Sequence, residues 1–237
     1  MATLAQRMLH QYYPEPENVF RGLLTQRIAG CDRVLDAGCG DGKIFTYDFQ
    51  GQVGAIVGID LRPEVAENDQ VDRAAQASVT ELPFADAVYD AVFSHFVLEH
   101  VEQPEAAFAE FARVLRPGGT LVLLVPNAWH YFVMVGRLVP FRLKQRLAGR
   151  VGYKEEDAFP AHYRANTPRK LKRLGNRCGL TLEQMILHEP CPWFLSFSPL
   201  TLAPEIGYER LVSRIGALAG LRAHIMAVYR KVSADGE

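Results

Sequence analysis

Apolar residues along this chain follow two kinds of pattern. Short runs rich in valine, isoleucine and leucine, bounded by glycine, proline or aspartate, are typical of buried strands. Seven such runs occur, at residues 33–38, 55–60, 74–79, 89–95, 120–126, 180–189 and 223–232. Between several of them, apolar residues recur at helical spacing. Because strands that alternate with helices form parallel sheets covered on both faces, the pattern predicts an α/β, doubly wound fold.

Two helices are indicated by their ends as well as by their apolar faces. Residues 104–119 begin with a proline, which suits a first helical turn, and finish with Pro-Gly-Gly, which stops a helix. Residues 167–179 begin with Thr167 as the predicted N-cap and stop at a glycine. Both helices are expected to pack on the sheet.

Length and composition limit the class of protein. With 237 residues, 49% of them apolar, the chain can bury the core of a single domain over residues 1–237. It has no apolar run of about 18 residues, which predicts no membrane-spanning helix, and its start does not resemble a signal peptide. Four cysteines without a CxxC pair indicate a reduced, cytoplasmic protein, and no metal site is expected.

Basic charge is concentrated in one part of the chain. Residues 130–177 hold twelve Lys and Arg and three acids, so this part carries +9 while the rest carries −10. Within it, residues 129–150 combine aromatic and apolar side chains with five basic ones. Such a segment can contact an anionic membrane surface, bind an anionic or lipid-linked ligand, or form a lid helix with a solvated basic face. The sequence leaves these interpretations open.

The sequence VLDAGCGDG, residues 34–42, places alternating glycines directly after a predicted strand. Gly38, Gly40 and Gly42 carry no Cβ, so a ligand could approach the backbone closely beyond the carboxyl end of the strand. The dinucleotide pattern G-x-G-x-x-G fails because Lys43 stands where its third glycine would be, and no P-loop sequence follows. The loop therefore predicts a ligand site of another kind.

Three carboxylates accompany this glycine loop. Asp36 and Asp41 would repel a pyrophosphate, whereas a ligand with a cationic amino group and a sulfonium would be attracted. The next predicted strand ends at Asp60, eighteen residues after Gly42, and a carboxylate there can accept hydrogen bonds from both ribose hydroxyls of an adenosine. Glycines and acids together are more specific than either alone, and they predict a site for a cationic nucleoside.

Four motifs in order resemble those of the class I S-adenosylmethionine-dependent methyltransferases: VLDAGCGDG, VGID, ELPFADAVYDAVFSHFVLEHV and RVLRPGGTLVLLVPN. The chain is similar to the small-molecule group that includes quinone-biosynthesis methyltransferases. The resemblance covers residues 30–127, and it implies S-adenosyl-L-methionine as cofactor and a seven-stranded, mostly parallel, Rossmann-like sheet with an antiparallel last strand. A helical cover is predicted from the remaining segments, at residues 1–29, 128–165 and 190–221.

The resemblance also implies roles for individual residues. The cofactor-binding residues predicted in the glycine loop are Asp36, Gly38, Cys39, Gly40, Asp41 and Gly42. Asp60 is expected to hold the ribose, with Leu61 beside the adenine. Ser78, followed by Val79, stands where relatives usually have an aspartate that contacts the adenine amino group. Ser94 lies at the end of the fourth predicted strand, near the expected position of the methyl group.

The reaction that the resemblance implies needs little activation by the protein. Because a sulfonium is a good leaving group, the enzyme mainly aligns the acceptor for in-line attack. An oxygen or nitrogen acceptor would use a general base, and a carbon acceptor would need its neighbouring hydroxyl activated; histidine suits either task. His95, at a strand tip, and His162, before the basic helix, are the candidate catalytic residues. Packing or acceptor contact is the alternative role for both.

The function predicted from the sequence is methyl transfer to a small-molecule or lipid-like acceptor, with an anionic acceptor as one option. Contact with the inner face of a membrane through residues 129–150 is a further expectation. One alternative is a non-catalytic sensor or scaffold that binds S-adenosylmethionine. The other is an RNA methyltransferase, because the basic segment would fit phosphate contacts. A nucleic-acid partner is not favoured, because no known RNA-binding module is attached.

Overall fold

The computed structural model describes residues 15–43, 47, 49–138, 160–190 and 199–233. Its strands are β1 (Arg33–Ala37), β2 (Ala55–Asp60), β3 (Arg73–Gln76), β4 (Tyr89–His95), β5 (Leu115–Pro126), β6 (Leu180–His188) and β7 (His224–Lys231). Its α-helices are α1 (Pro16–Ile28), α2 (Pro104–Val114), α3 (Tyr131–Leu138), α4 (Pro168–Arg177) and α5 (Pro199–Arg214). Two 3-10 helices, Pro63–Glu67 and Gly216–Leu221, complete the elements of the described residues.

The strands form one sheet in the order β3-β2-β1-β4-β5-β7-β6. The first five strands along the chain pair in parallel, whereas β7 runs antiparallel to both β5 and β6. The order reverses between β1 and β4, and in open α/β sheets such a point opens a crevice beyond the carboxyl ends of the strands. The predicted seven-stranded, doubly wound sheet with an antiparallel last strand is confirmed.

Helices bury apolar side chains on both faces of this sheet. On one face, α1 inserts Phe20 and Leu24 between side chains of the central strands. On the other face, α2 contributes Phe108 and Phe111 to a core that also includes side chains of α4. Residues 16–28 were predicted to belong to a cover segment, but they pack directly against the sheet.

Three predicted boundaries were wrong by three or more residues: one helix end, the start of the strand that follows it and the end of an earlier strand. The helix expected over 104–119 ends at Val114, because Leu115 already pairs with Tyr89 of β4 and begins a longer β5. The strand expected over 74–79 ends at Gln76. By contrast, the predicted N-cap Thr167 is confirmed, since its side chain accepts the backbone N–H of the third residue of α4 at 3.3 Å.

The predicted cover is described only in part, because residues 1–14, 139–159 and 191–198 lie outside the described residues. Along α3, several large apolar side chains are exposed: Phe132, Met134, Val135 and Leu138. In the ranges that the structure describes, none of the helices combines the length and the apolar character that crossing a bilayer requires.

Candidate active site

Backbone and side-chain hydrogen bonds fix the glycine loop to the end of β2. The Gly38 N–H donates to the Ile59 carbonyl at 2.8 Å, and the Gly40 N–H donates to Oδ2 of Asp60 at 3.0 Å. Nδ2 of Asn68, just beyond the first 3-10 helix, donates to the Gly40 carbonyl at 3.1 Å. These hydrogen bonds fix the conformation of the loop. One of the groups that form them, the Asn68 amide, could not be assigned to the loop from sequence alone.

The three glycines of the loop are required for different reasons. A Cβ on Gly38 would overlap the side chain of Val97, and a Cβ on Gly42 would lie 2.6 Å from Oδ1 of Asn68. A Cβ on Gly40 would meet only the far end of one arginine, at 3.5 Å. Two of the glycines thus allow protein atoms to pack closely, whereas a Cβ at Gly40 would make only an ordinary contact with a flexible side chain.

Asp36 and Asp60 lie at the carboxyl ends of the neighbouring strands β1 and β2, beside the glycine loop. Asp36 is half-buried, and within the described residues its carboxyl has no hydrogen-bond or ion-pair partner. Burial, and next the negative charge of Asp60, raise the pKa of Asp36 to about 8. A carboxyl group in this position is costly to ionise until a cation comes close to it.

Asp60 joins the glycine loop to the chain that follows β2. Its Oδ1 accepts the Arg62 backbone N–H at 2.9 Å, and its Oδ2 accepts the Gly40 N–H. Each carboxylate oxygen has a further lone pair, which leaves room for hydroxyl donors of a ligand. Leu61, beside it, is 68% exposed and offers apolar surface at the same edge.

Cys39 and Asp41 belong to the same loop and contact other protein groups. Sγ of Cys39 lies against Gly58, where a Cβ would come within 2.5 Å of the sulfur. Burial, and next the nearby carboxylates, raise the pKa of this thiol, which keeps it unreactive. Oδ1 of Asp41 accepts the backbone N–H of Lys43 at 3.1 Å. Their contact with a cofactor stays a prediction.

The other predicted cofactor residues lie just after β3 and on β4. Ser78 follows β3, where its hydroxyl lies 2.7 Å from the Thr80 hydroxyl, and Val79 is buried. Ser94 of β4 is also buried, and its hydroxyl donates to the Ala37 carbonyl at 2.7 Å. Because both hydroxyls have protein partners, their contact with a cofactor also stays a prediction.

His95 is buried on the face of the sheet that α1 covers. Its Nδ1 lies 2.9 Å from the Tyr47 hydroxyl, and its ring packs against Phe20 and Phe96. Burial lowers the pKa of His95 to about 3, which disfavours the imidazolium form that a general base must reach. The catalytic role stays a prediction, and the geometry favours the packing role.

His162 is more open and lies beside the segment that follows β4. Its backbone N–H donates to the Glu99 carbonyl at 2.6 Å, and its Nε2 lies 3.7 Å from Oε1 of Glu102. The side chain is 28% exposed, so an acceptor could reach the imidazole. A catalytic role for His162 stays a prediction.

Glu99 is a candidate functional residue that the sequence did not reveal. It is 5% exposed, and its Oε2 has no hydrogen-bond partner among the described residues. Burial raises the pKa of Glu99 to about 8, and its charge raises the pKa of Tyr163 as a smaller effect than the burial of that phenol. Glu99 lies within the motif that ends in LEHV, but the sequence does not show its burial or that the His162 and Tyr163 N–H groups donate to its carbonyl.

We expect Glu99→Gln to change how stability depends on pH. The folded protein keeps the Glu99 proton up to a pKa of about 8, whereas the unfolded chain loses it near the ordinary value of 4.5. The folded state therefore binds more protons between these values, so this group makes the free energy of unfolding fall as pH rises through that window. The variant should lose this decline and be roughly 1–3 kcal/mol more stable than wild type near pH 8.

Urea unfolding at a series of pH values measures this effect. Glu64→Gln removes a carboxylate from an exposed position and serves as the matched control. Identical pH slopes for Glu99→Gln and wild type would show that the Glu99 carboxyl ionises normally in the folded protein.

The fold and the site together define a class of protein. An open seven-stranded sheet, with a glycine loop and two carboxylates at the point where the strand order reverses, is the arrangement of class I methyltransferases. Residues 35–123 match the family model described as a methyltransferase domain. This part of the chain therefore matches a methyltransferase domain, as the resemblance predicted, and S-adenosylmethionine is the cofactor of class I methyltransferases.

Similar proteins agree with this assignment over part of the chain. A malonyl-[acyl-carrier protein] O-methyltransferase of Hahella chejuensis is 34% identical over 48% of this chain and 47% of its own length. A ubiquinone/menaquinone biosynthesis C-methyltransferase of Syntrophotalea carbinolica is 34% identical over 41% of this chain and 45% of its own. The chain thus spans less than half the length of these curated relatives.

A solved structure extends the similarity in fold to most of the chain. The S-adenosylmethionine dependent methyltransferase from Mesorhizobium loti superposes with a TM-score of 0.61 over 92% of this chain and 98% of that protein. Because the two sequences are only 16% identical, this similarity establishes the fold alone.

Proposed function

We propose that this protein transfers a methyl group from S-adenosylmethionine to a small-molecule acceptor. The observation that carries the proposal is the carboxyl of Asp36, which has no partner among the described residues and lies next to Asp60 beside the glycine loop. A half-buried carboxyl without a partner favours a cationic ligand. The two curated relatives support an acceptor that is small or bound to a carrier, since their names specify malonyl-[acyl-carrier protein] and a quinone pathway.

The residues present fit this cofactor. Asp36 would face its positively charged amino acid part, and Asp60 would accept the ribose hydroxyls. Gly40 would let the cofactor lie directly on the backbone, while the exposed side chain of Leu61 would be covered by the adenine. When bound, the cofactor supplies a methyl group that is already activated by its positive sulfur.

The protein's own contribution is to orient the acceptor and to exclude water. His95, held by Tyr47 and enclosed by aromatic rings, would stiffen the end of β4. His162 is our proposed general base for an oxygen or nitrogen acceptor, because its side chain is partly exposed and lies beside the same edge of the sheet. Both roles rest on the geometry of the free protein.

An acceptor screen tests the proposed function. The purified chain is incubated with methyl-labelled S-adenosylmethionine and a cell extract, and labelled products are identified by mass spectrometry. We expect a labelled small molecule with wild type and much less of it with Asp60→Ala when the cofactor is kept below saturation. Binding of the cofactor without any labelled product would support a sensor instead, and label that ribonuclease releases would support an RNA methyltransferase.

Asp60→Ala should weaken S-adenosylmethionine binding by roughly 1–3 kcal/mol, because charged hydrogen bonds to the ribose are lost. Asp60→Asn keeps the shape and one acceptor oxygen, so we expect a smaller loss. Isothermal titration calorimetry measures both affinities. Because Asp60 also holds the Gly40 N–H, circular dichroism checks that each variant keeps its fold. Unchanged affinity in both variants would mean that the ribose is held elsewhere.

A further inference from the structure

A cavity of about 550 Å³ lies beyond the carboxyl end of β5, between α3 and the start of α4. Four of its lining residues are basic: Arg137 of α3 and Arg169, Lys170 and Arg173 of α4. Trp129 and Tyr163 add aromatic surface. We refer to this space as the basic cavity.

The positive charge of the basic cavity is not compensated within the described part of the chain. None of its four basic residues forms an ion pair with a described residue, and no acidic residue is among the described residues that line it. The guanidinium of Arg137 lies over the ring of Tyr163, with Cζ 4.9 Å from the ring centroid. Cations brought together from two helices repel one another unless an anion lies between them.

The start of α4 is an unfavourable place for these cations. The N-terminal end of a helix carries partial positive charge and is stabilised by acidic residues in its first turn. In α4 the first turn holds no acidic residue and instead contains Arg169 and Lys170. Basic residues in the first turn therefore lower the stability of this short helix. Such a loss of stability is expected where the residues serve binding.

The basic cavity lies at the same edge of the sheet as the glycine loop. The Tyr163 N–H donates to the Glu99 carbonyl at 3.1 Å, which connects the cavity wall to the segment that follows β4. The Ala128 N–H donates to the Asn166 carbonyl at 2.7 Å and connects the wall to the end of β5. An acceptor held in the cavity would therefore be anchored at the edge where the cofactor is proposed to bind.

We infer that the basic cavity binds a phosphate or diphosphate group on the methyl acceptor. That the ligand is the acceptor rests on the proposed function. Three guanidinium groups and one ammonium exceed what a single carboxylate would balance, whereas they match the several charged oxygens of a phosphate or diphosphate. The cavity is larger than such a group, and its two aromatic rings offer apolar surface for the organic part of the acceptor.

Calorimetric titration of the full chain with inorganic pyrophosphate tests this inference. The titration is performed with and without saturating S-adenosylhomocysteine, for wild type, Arg173→Gln and Lys172→Gln. The matched control is Lys172, which lies next to Arg173 on the exposed part of α4 but does not line the cavity. We expect Arg173→Gln to weaken pyrophosphate binding by about tenfold, as the loss of one charged hydrogen bond predicts. Lys172→Gln should leave it nearly unchanged.

The outcomes separate this inference from the proposed function. Equal weakening by both variants, displacement of pyrophosphate by S-adenosylhomocysteine, or no binding of pyrophosphate at all would overturn the inference. S-adenosylhomocysteine should bind all three proteins equally, which shows that the variants are folded. If no protein binds S-adenosylhomocysteine while the pyrophosphate pattern holds, the proposed function fails and the anion site stands.

Discussion

Asp36→Asn is expected to weaken S-adenosylmethionine binding by roughly 2–3 kcal/mol and, without ligand, to make the protein more stable near pH 8. The first effect follows because the variant removes the only charge that Asp36 can offer to a cation. The second follows because ionising the half-buried carboxyl of Asp36 beside Asp60 costs free energy in wild type. An uncharged amide of the same shape avoids that cost. Calorimetry measures the affinity, and urea unfolding measures the stability.

The pH dependence of both quantities has a definite sign. The folded protein keeps the Asp36 proton up to a pKa of about 8, while the unfolded chain loses it near 3.8. Between these values the folded state binds more protons, so this group lowers the free energy of unfolding as pH rises. A cationic ligand ionises the carboxyl, so its affinity should rise with pH up to about 8, with release of protons on binding.

Asp69→Asn is the matched control, because it removes an exposed carboxylate that follows the first 3-10 helix. It should alter neither the affinity nor its pH dependence. The account would be contradicted if Asp36→Asn left cofactor affinity unchanged, or if it destabilised the free protein across the whole pH range.

The second large effect is expected from Gly38→Ala, which should lower the free energy of unfolding by about 2–4 kcal/mol. The Cβ would overlap the side chain of Val97, and the backbone at Gly38 has a φ of +94°, in a region that L-residues rarely adopt. Gly51→Ala is the control, because Gly51 has a φ of +73° and nothing within 4 Å of the new Cβ. It should cost only about 1 kcal/mol through backbone strain.

Urea unfolding of both variants separates the steric effect from the backbone strain. Adding Val97→Ala to Gly38→Ala should restore part of the lost stability, because the overlapping methyl group is removed. Equal losses at both glycines would show that close packing against Val97 does not require the glycine at position 38.

Much of the sheet could be predicted from sequence because buried parallel strands are nearly continuous apolar runs. The strand over 89–95, for example, has the predicted boundaries. The end of α2 could not be predicted, because Leu115 suits both the apolar face of a helix and a buried strand. Its pairing with Tyr89, which is distant in sequence, decides between the two.

The candidate site likewise has a part that could be predicted from sequence and a part that could not. The glycine loop and Asp60 were visible because they combine a local pattern with a fixed spacing along the chain. The burial of Glu99, the amide of Asn68 that holds the loop, and the closeness of Val97 to Gly38 all depend on contacts between distant segments. Charge counting likewise found the basic segment but could not show that two helices direct their cations into one cavity.

A crystal structure of the chain with S-adenosylmethionine bound tests the central claim most directly. The account predicts that both ribose hydroxyls contact the carboxylate of Asp60, that the methionine part lies over Gly40, and that its ammonium group approaches Asp36. A nucleoside bound in a different cleft, or one whose ribose and ammonium groups lie away from these two carboxylates, would contradict it.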